Sequence, residues 1–524
     1  MNSRKTAVRL FAILLTMSLL LSIMASCNRW ESRSDTETSE ITTENTPGTV
    51  TTNQKEQEST EKQTDDEKTP QSPESTNKIT VTDERPLYNN WTETIQGSID
   101  KMFLLGGGEV IIPTGDYDIG SIRLRSNVTL HLLEDAHLIA SRDLAAYEYV
   151  AEKDIEPISE EDFTDAVWEP VGVRKNYDFQ MKPMGRWNRA VIKALDAENI
   201  AIIGEPGSRI DGMNCFDPMG EEHYRGPHAI NMHRCKNVTL KGYEIQNSSN
   251  WAHALCVCEN LLFEEISVFG GHDGIHVTSC TNIVIKNCDF QTGDDCIGGI
   301  DNLNVEVLGC KLNTACNGMR FGGTNVLVHD TLFYGPAKYR FRGGLSYDDK
   351  VNGAPSMYSE GQGGTMLSAY TYYADYSREF RNTPGNIVIY NCEFRNTDRF
   401  LHYNFSGNEA WQRNEPLRDI TFRNIKATGI RYALTFWGDS SLKGCLTLEN
   451  ANIRFADGVN QPLIRLGNYD TVILRNVCVE NLKGTCLIRK WTDDGTVIIE
   501  DYTLPGFRGD LEELTDEPFV STTI

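Results

Sequence analysis

Gly270-Gly271-His272-Asp273-Gly274-Ile275-His276-Val277, then Gln291-Thr292-Gly293-Asp294-Asp295-Cys296-Ile297-Gly298-Gly299-Ile300-Asp301, then Ala315-Cys316-Asn317-Gly318-Met319-Arg320-Phe321-Gly322-Gly323: these three phrases decide the fold. Asp273 and Asp295 stand 22 residues apart, and Asn317 follows 22 further on. If one turn of the chain takes about 22 residues, these side chains stack in neighbouring turns. Asp294 then lies beside the stack.

The period recurs outside this stretch. An Asn–apolar–any–apolar phrase starts at Asn199, Asn237, Asn260, Asn282, Asn304, Asn325 and Asn386, with spacings of 38, 23, 22, 22, 21 and 61. Weaker copies begin near Asp419, Cys445 and Thr471. Eight residues after the Asn comes a second apolar position: Ile245, Val268, Phe290, Leu312, Phe333 and Phe394. Short β-prone runs at a fixed period of this length define a solenoid in which each strand pairs in parallel with its copy one turn on. The expected fold is all-β: a single-stranded parallel β-helix of about ten coils with loop insertions. Asn suits the repeated corner because it tolerates the left-handed backbone and can bond to its copies above and below.

The cysteines fall on the same lattice. Cys235, Cys258 and Cys280 precede the Asn by two residues, and Cys288, Cys310 and Cys392 follow it by six. Stacked free thiols behave as small buried hydrophobes. A pairing such as Cys256 with Cys258 stays open.

The long spacings locate insertions at Leu144 to Arg186, at Met213 to Arg225, and between Asn325 and Asn386. The last is rich in aromatics, among them Tyr339, Phe341, Tyr347, Tyr370, Tyr372 and Tyr373. It reads either as a wall that stacks on sugar rings or as a loop packed on itself.

The ends have a different character. Arg4, Lys5 and Arg9 precede an apolar run, Leu10 to Ala25, too short for a membrane span and typical of an export signal. Residues 1–27 end on Leu21-Ser22-Ile23-Met24-Ala25-Ser26-Cys27, which resembles a bacterial lipobox with Cys27 as the lipidated residue. An ordinary signal with a nearby cut is the alternative. Two acyl chains would anchor the protein extracytoplasmically on the cell membrane. Residues 28–85 lack any hydrophobic period and hold 14 acids against 6 bases between Glu31 and Asn90, so they read as a disordered tether. Residues 86–524 are the expected β-helix domain, and a monomer is expected. A formal net charge of −24 offers no basic footprint for nucleic acid.

The acidic cluster carries the chemistry. Strict alternation places Asp273 and Asp295 on the same side as Ile275 and Ile297, which would bury two like charges at high cost. A bend before Gly274 and Cys296 would open both carboxylates to the surface. Clustered carboxylates raise at least one pKa by mutual repulsion, giving the protonated acid and ionised base that glycoside hydrolysis needs. A ladder of aspartates that caps turns or binds calcium is the bland reading.

The stretch from Gly106 to about Gly335 resembles the glycoside hydrolase family 28 polygalacturonases. GGGEVIIPTGDY with SIRLRSNVTLHLLEDAHLIAS is similar to the family's opening, NIAIIGEPGSRIDG to its first coil, and Asn247 to Trp251 to its N-S-P-x-W. HDGIHV stands for N-T-D-G-I-D, and GDDCIGG for G-D-D-C-I-A. The resemblance implies a right-handed β-helix that hydrolyses pectin with inversion and without a cofactor. It makes Asp294 the general acid and leaves Asp273 and Asp295 to hold and activate water. Cys316-Asn317-Gly318 replaces the family's G-H-G, and no Lys follows Arg320. Substrate contacts are therefore expected from Arg320, His272, His276, Asn317, Lys338 and Arg340, with Arg342 a further candidate. No metal is expected for hydrolysis. A lyase on the same fold would instead use Ca2+ held by the Asp cluster and Arg320 as base, and a non-catalytic glycan-binding scaffold would use none of this chemistry.

Overall fold

The computed structural model describes residues 77–82, 90–147, 186–375, 379–407 and 409–516. The export signal, Cys27 and most of the tether lie outside the described residues, as does most of the insertion from Leu144 to Arg186. Among the described residues no helix is long and apolar enough to cross a membrane.

The chain forms a parallel β-helix. One ladder runs from Lys78–Thr80 through Gly108–Ile112, Val128–Leu132 and Glu198–Gly204, then on coil by coil to Thr496–Thr503. It is longer than ten coils, because its first and last rungs lack the Asn phrase. The tether boundary at 85 is corrected as well. Ile79 and Val81 alternate onto the core, Val81 is fully buried, and Lys78 to Thr80 pair with Glu109 to Ile111. Two apolar residues in a polar stretch are too few to register as a period, yet one parallel neighbour suffices to seat them.

A helix, Trp91–Leu104, also departs from the all-strand expectation. Asn90 caps it by accepting from the Glu93 N–H, and Ile95, Ile99 and Met102, at helical spacing, are buried in the core. It packs against the first strands and covers the apolar end that an open solenoid would expose.

The Asn ladder is continuous. Asn199 donates to Asn127, and Asn237, Asn260, Asn282, Asn304, Asn325 and Asn386 each donate to the one before at 2.9–3.0 Å. All of them sit at positive φ, Asn282 at 58°. A second ladder links Asn391, Asn424, Asn450 and Asn476. The cysteines stack as free thiols among the described residues: the Cys235 N–H points at the Cys258 sulfur and the Cys258 N–H at that of Cys280. The apolar row Ile245, Val268, Phe290, Leu312, Phe333, Phe394 is in register and buried.

The 61-residue gap resolves into two excursions. The strand Met366–Tyr372 returns to the solenoid between them, with Tyr370 opposite Met319 and Tyr372 opposite Phe321. Tyr370 and Tyr372 are therefore core residues, not a sugar-binding wall, since strand alternation turns both inward. The side chains between them and just beyond, Thr371 and Tyr373, alternate with that inward pair.

Candidate active site

Backbone pairing sets the acidic cluster. The Gly274 N–H donates to the Asp295 carbonyl at 3.0 Å, and the Cys296 N–H donates to the Asn317 carbonyl at 3.0 Å. Asp273, Asp295 and Asn317 thus occupy one position in successive coils. Beside them His276, Gly298 and Arg320 form a second row in register, while Ile275, Ile297 and Met319 point into the core. The bend before Gly274 and Cys296 is present.

The bend does not open both carboxylates to solvent. Asp273 is 3% and Asp295 1% exposed, and only Asp294 is partly accessible. Partners replace the missing water. Asn317 Nδ2 donates to Asp295 Oδ1 at 2.7 Å, and its own Oδ1 accepts from Thr371 Oγ1 at 2.8 Å. Arg320 Nε lies 3.1 Å from Asp295 Oδ2, a charge contact rather than a well-aligned hydrogen bond. His276 Nδ1 is 2.9 Å from Asp273 Oδ2. Arg225 Nη2 lies 3.2 Å from Asp294 Oδ2. Two arginines thus approach three carboxylates, one through Asp294 and one through Asp295.

Burial raises the pKa of Asp294, the charge of Asp295 raises it further, and Arg225 and Arg320 oppose both. Burial also lifts Asp273 well above the carboxylate range, with Asp294 and Asp295 adding to the shift. The cluster therefore holds a proton to higher pH than an isolated aspartate. His272 and His276 are held far below the usual imidazole value by burial and by neighbouring arginines, so both rings are neutral.

The residues expected to meet substrate separate into groups. Arg320 stacks on Tyr373 at 4.2 Å and lies 5.7 Å from the Trp411 ring. His276 stacks face to face on Trp251. His272 packs parallel to Tyr224 and edge-on to Phe341, with both ring nitrogens buried and lacking a hydrogen-bond partner among the described residues. Lys338 is exposed, its backbone N–H bonded to Asn313, and its ammonium makes no ion pair with the carboxylates. Arg340 is half-buried, and its carbonyl sits where a side chain on Gly293 would project. Arg342 is fully buried and donates to the carbonyls of Asn214 and Ser249, which staples the excursion to the solenoid and removes this guanidinium from substrate recognition.

Sequence reasoning passed over Arg225, Trp251 and Trp411. Arg225 ends an insertion whose Glu221-Glu222-His223-Tyr224-Arg225 run signalled a charged knot. There it also binds Glu222 at 3.0 Å and Asn250 at 3.4 Å. Asn250 in turn accepts from the Trp251 N–H, and Ser248 Oγ donates to the Trp251 carbonyl. The Asn247-to-Trp251 phrase is thus the hinge that sets the indole against His276.

An oxygen of Asp294, one of Asp295 and the Cys316 sulfur lie within 4.8 Å of one another. Burial and both aspartates hold the Cys316 thiol well above its ordinary pKa, so it stays protonated. Calcium takes six to eight oxygens, and this mixed set, with Asp295 already held by Asn317 and Arg320, fits that ion poorly.

Residues 170–323 match the family model of the glycosyl hydrolases family 28. The chain is similar to a probable polygalacturonase of Vitis vinifera, 27% identical over 201 residues that cover 37% of this chain and 36% of the relative. A polygalacturonase of Saccharomyces cerevisiae is 26% identical over 130 residues, covering 23% of this chain and 35% of the relative. The chain spans about a third of the length of these two relatives. Among solved structures, an exopolygalacturonase from Thermotoga maritima aligns with a TM-score of 0.47 at 17% identity, covering 84% of this chain and 94% of that one.

Proposed function

We propose that the protein is a glycoside hydrolase that cleaves α-linked galacturonic-acid-containing (pectic) polysaccharide with inversion. One observation carries the reading: three carboxylates meet on one face between Arg225 and Arg320, with Asp294 the most accessible and its pKa raised. Asp294 then protonates the glycosidic oxygen, and Asp273 with Asp295 orients the attacking water. Arg320 donates to the uronate carboxylate, and the Tyr373 and Trp411 rings beneath its guanidinium hold it in place. Residues 1–27 would export the chain, Cys27 would anchor it in the cell membrane, and the monomer would act alone.

Elimination is the less favoured chemistry. Burial works against the charge of Arg320, but Asp295, Tyr373, Asp273 and Asp294 outweigh it and hold the guanidinium above its ordinary pKa. A guanidinium so placed is a poor base. Incubation with polygalacturonate, rhamnogalacturonan and xylogalacturonan, followed by reducing-end assay and NMR of the first anomer released, tests the proposal. Hydrolysis with inversion supports it. Unsaturated uronate products that require calcium would establish a lyase instead, and binding without any turnover would establish a scaffold.

A further inference from the structure

The row that carries Tyr373 continues past the aspartates toward the C-terminal coils. Thr371 pairs with His402, so two residues on Tyr373 falls opposite Asn404. Asn404 pairs with Trp437 and Trp437 with Gly467, and the Leu466–Lys490 pairing brings Gly467 opposite Trp491. Strand alternation keeps this row outside the core: Tyr372, Tyr403 and Phe436 point in, and the next residues lie on the other face.

Trp437 and Trp491 belong to coils two apart, yet their rings stack with centroids 5.2 Å apart and planes 12° apart. Gly467 makes this possible. A Cβ there would lie 2.5 Å from both Cδ1 and Nε1 of Trp437, so the indole lies across the missing side chain. The pair forms a wall of a cavity of about 670 Å³. Ser406, Asn468, Thr492, Leu514, Thr515 and Asp516 complete it. Asn468 is held by the Thr492 hydroxyl, which accepts from its N–H at 2.9 Å, and by Ser406 Oγ, which accepts from its Nδ2 at 2.9 Å.

Flat apolar rings beside hydroxyl and amide groups form the surface that a pyranose matches, since its C–H face is apolar and its rim is hydroxylated. At about 4.8 Å per coil, Trp437 lies roughly 14 Å and Trp491 roughly 24 Å along the axis from the coil of Arg320. We propose that the Trp437–Trp491 cavity is a distal subsite that stacks a pyranose of the same glycan chain that occupies the aspartate cluster. The inference rests on the polysaccharide reading and adds that binding is extended and favours long chains.

The test uses the full chain with Asp294→Asn to prevent turnover. Binding of high-molecular-weight polygalacturonate and of its trisaccharide is measured by calorimetry. Trp437→Ala with Trp491→Ala is compared with Leu514→Glu, which alters the exposed rim and leaves the indole pair intact. The expected result is at least a tenfold loss of polymer affinity in both variants, with the trisaccharide unchanged. Polymer binding equal to the parent in Leu514→Glu and in a tryptophan variant of unchanged circular dichroism would overturn the distal subsite while leaving the hydrolase reading intact. Hydrolysis of polygalacturonate by the wild-type chain, with an Asp294→Asn parent that binds polymer no more tightly than trisaccharide, would likewise overturn it. A wild-type chain that does not hydrolyse this polymer, together with an Asp294→Asn parent that does not bind it, would overturn the pectic reading and the subsite together.

Discussion

Arg225 Nη2 lies 3.2 Å from Asp294 Oδ2, across 69 residues of chain. The contact sets a limit on how far burial and Asp295 can raise the acid. Replacing Arg225 with Met releases that limit, and a neighbouring cation is worth about 1–3 pKa units. The alkaline limb of the rate profile should move up by about one unit or more, while Arg225→Lys should hold it near wild type. A pH series of kcat/KM on both variants checks this.

The three carboxylates act as a unit. Asp294→Asn, Asp273→Asn and Asp295→Asn should each lower kcat by about 10²–10⁴-fold, the range for losing a positioned acid or base. The double variants should fall little further, because residues of one mechanism are not additive. Reducing-end assays on single and double variants decide it.

Asp294 also has a stability signature. Its folded pKa is raised above the ordinary 3.8, so the folded state favours the protonated form. That contribution is present at low pH and is lost as pH rises through the folded pKa. Asp294→Asn should therefore melt higher than wild type at pH 8, and the difference should shrink toward pH 4. Differential scanning calorimetry at both pH values tests the sign.

Buried imidazoles act in the opposite sense, His228 and His253 among them. Burial holds His228 at about 3 and His253 at about 4, against an ordinary 6.5. The unfolded chain binds more protons on these groups between 6.5 and these values, so their contribution to stability falls as pH drops below 6.5 and is lost by about 3. His253 Nδ1 donates to the Gly274 carbonyl at 2.9 Å, so Nε2 accepts from the Tyr243 hydroxyl at 3.0 Å. His253→Phe removes one titration, and its melting temperature should depend less on pH between 6.5 and 4.

Gly298 separates His276 from Arg320 in their row. A Cβ there would stand 2.7 Å from His276 Nδ1 and 3.1 Å from Asp273 Oδ2. Gly298→Ala should displace the Asp273–His276 contact and lower kcat by about 10²-fold, the cost of misplacing a reacting group by roughly 1 Å. Circular dichroism should remain unchanged.

The Asn corner can be tested away from the site. Asn282 donates to Asn260 and accepts from Asn304 at φ 58°. Asn282→Ala should cost about 2–5 kcal/mol, from two hydrogen bonds at ~0.5–1.5 kcal/mol each and a left-handed backbone at ~1–2 kcal/mol. Asn282→Gly should recover the backbone part. Urea denaturation of both variants separates the two terms.

The coil length, the Asn and Cys stacks and the convergence of Asp273, Asp294 and Asp295 were legible in the sequence. A solenoid converts a fixed spacing directly into neighbourhood, so 22 residues becomes one strand separation. The Asn phrase marks the left-handed corner of each coil it opens. Charge balance at the site was not legible in this way. Arg225 arrives from an insertion, Trp411 from a loop beyond a second excursion, and neither keeps a periodic relation to the aspartates. Sequence reasoning therefore opened the carboxylates to solvent, whereas the folded chain buries two of them, Asp295 against Arg320 and Asn317 and Asp273 against His276. Ile79 and Val81 fell to the same limit, since two apolar residues make no period until a neighbouring strand gives them one. Local spacing determines what repeats. Only tertiary packing decides which partners come from segments that do not repeat, because their approach depends on the path of the whole chain.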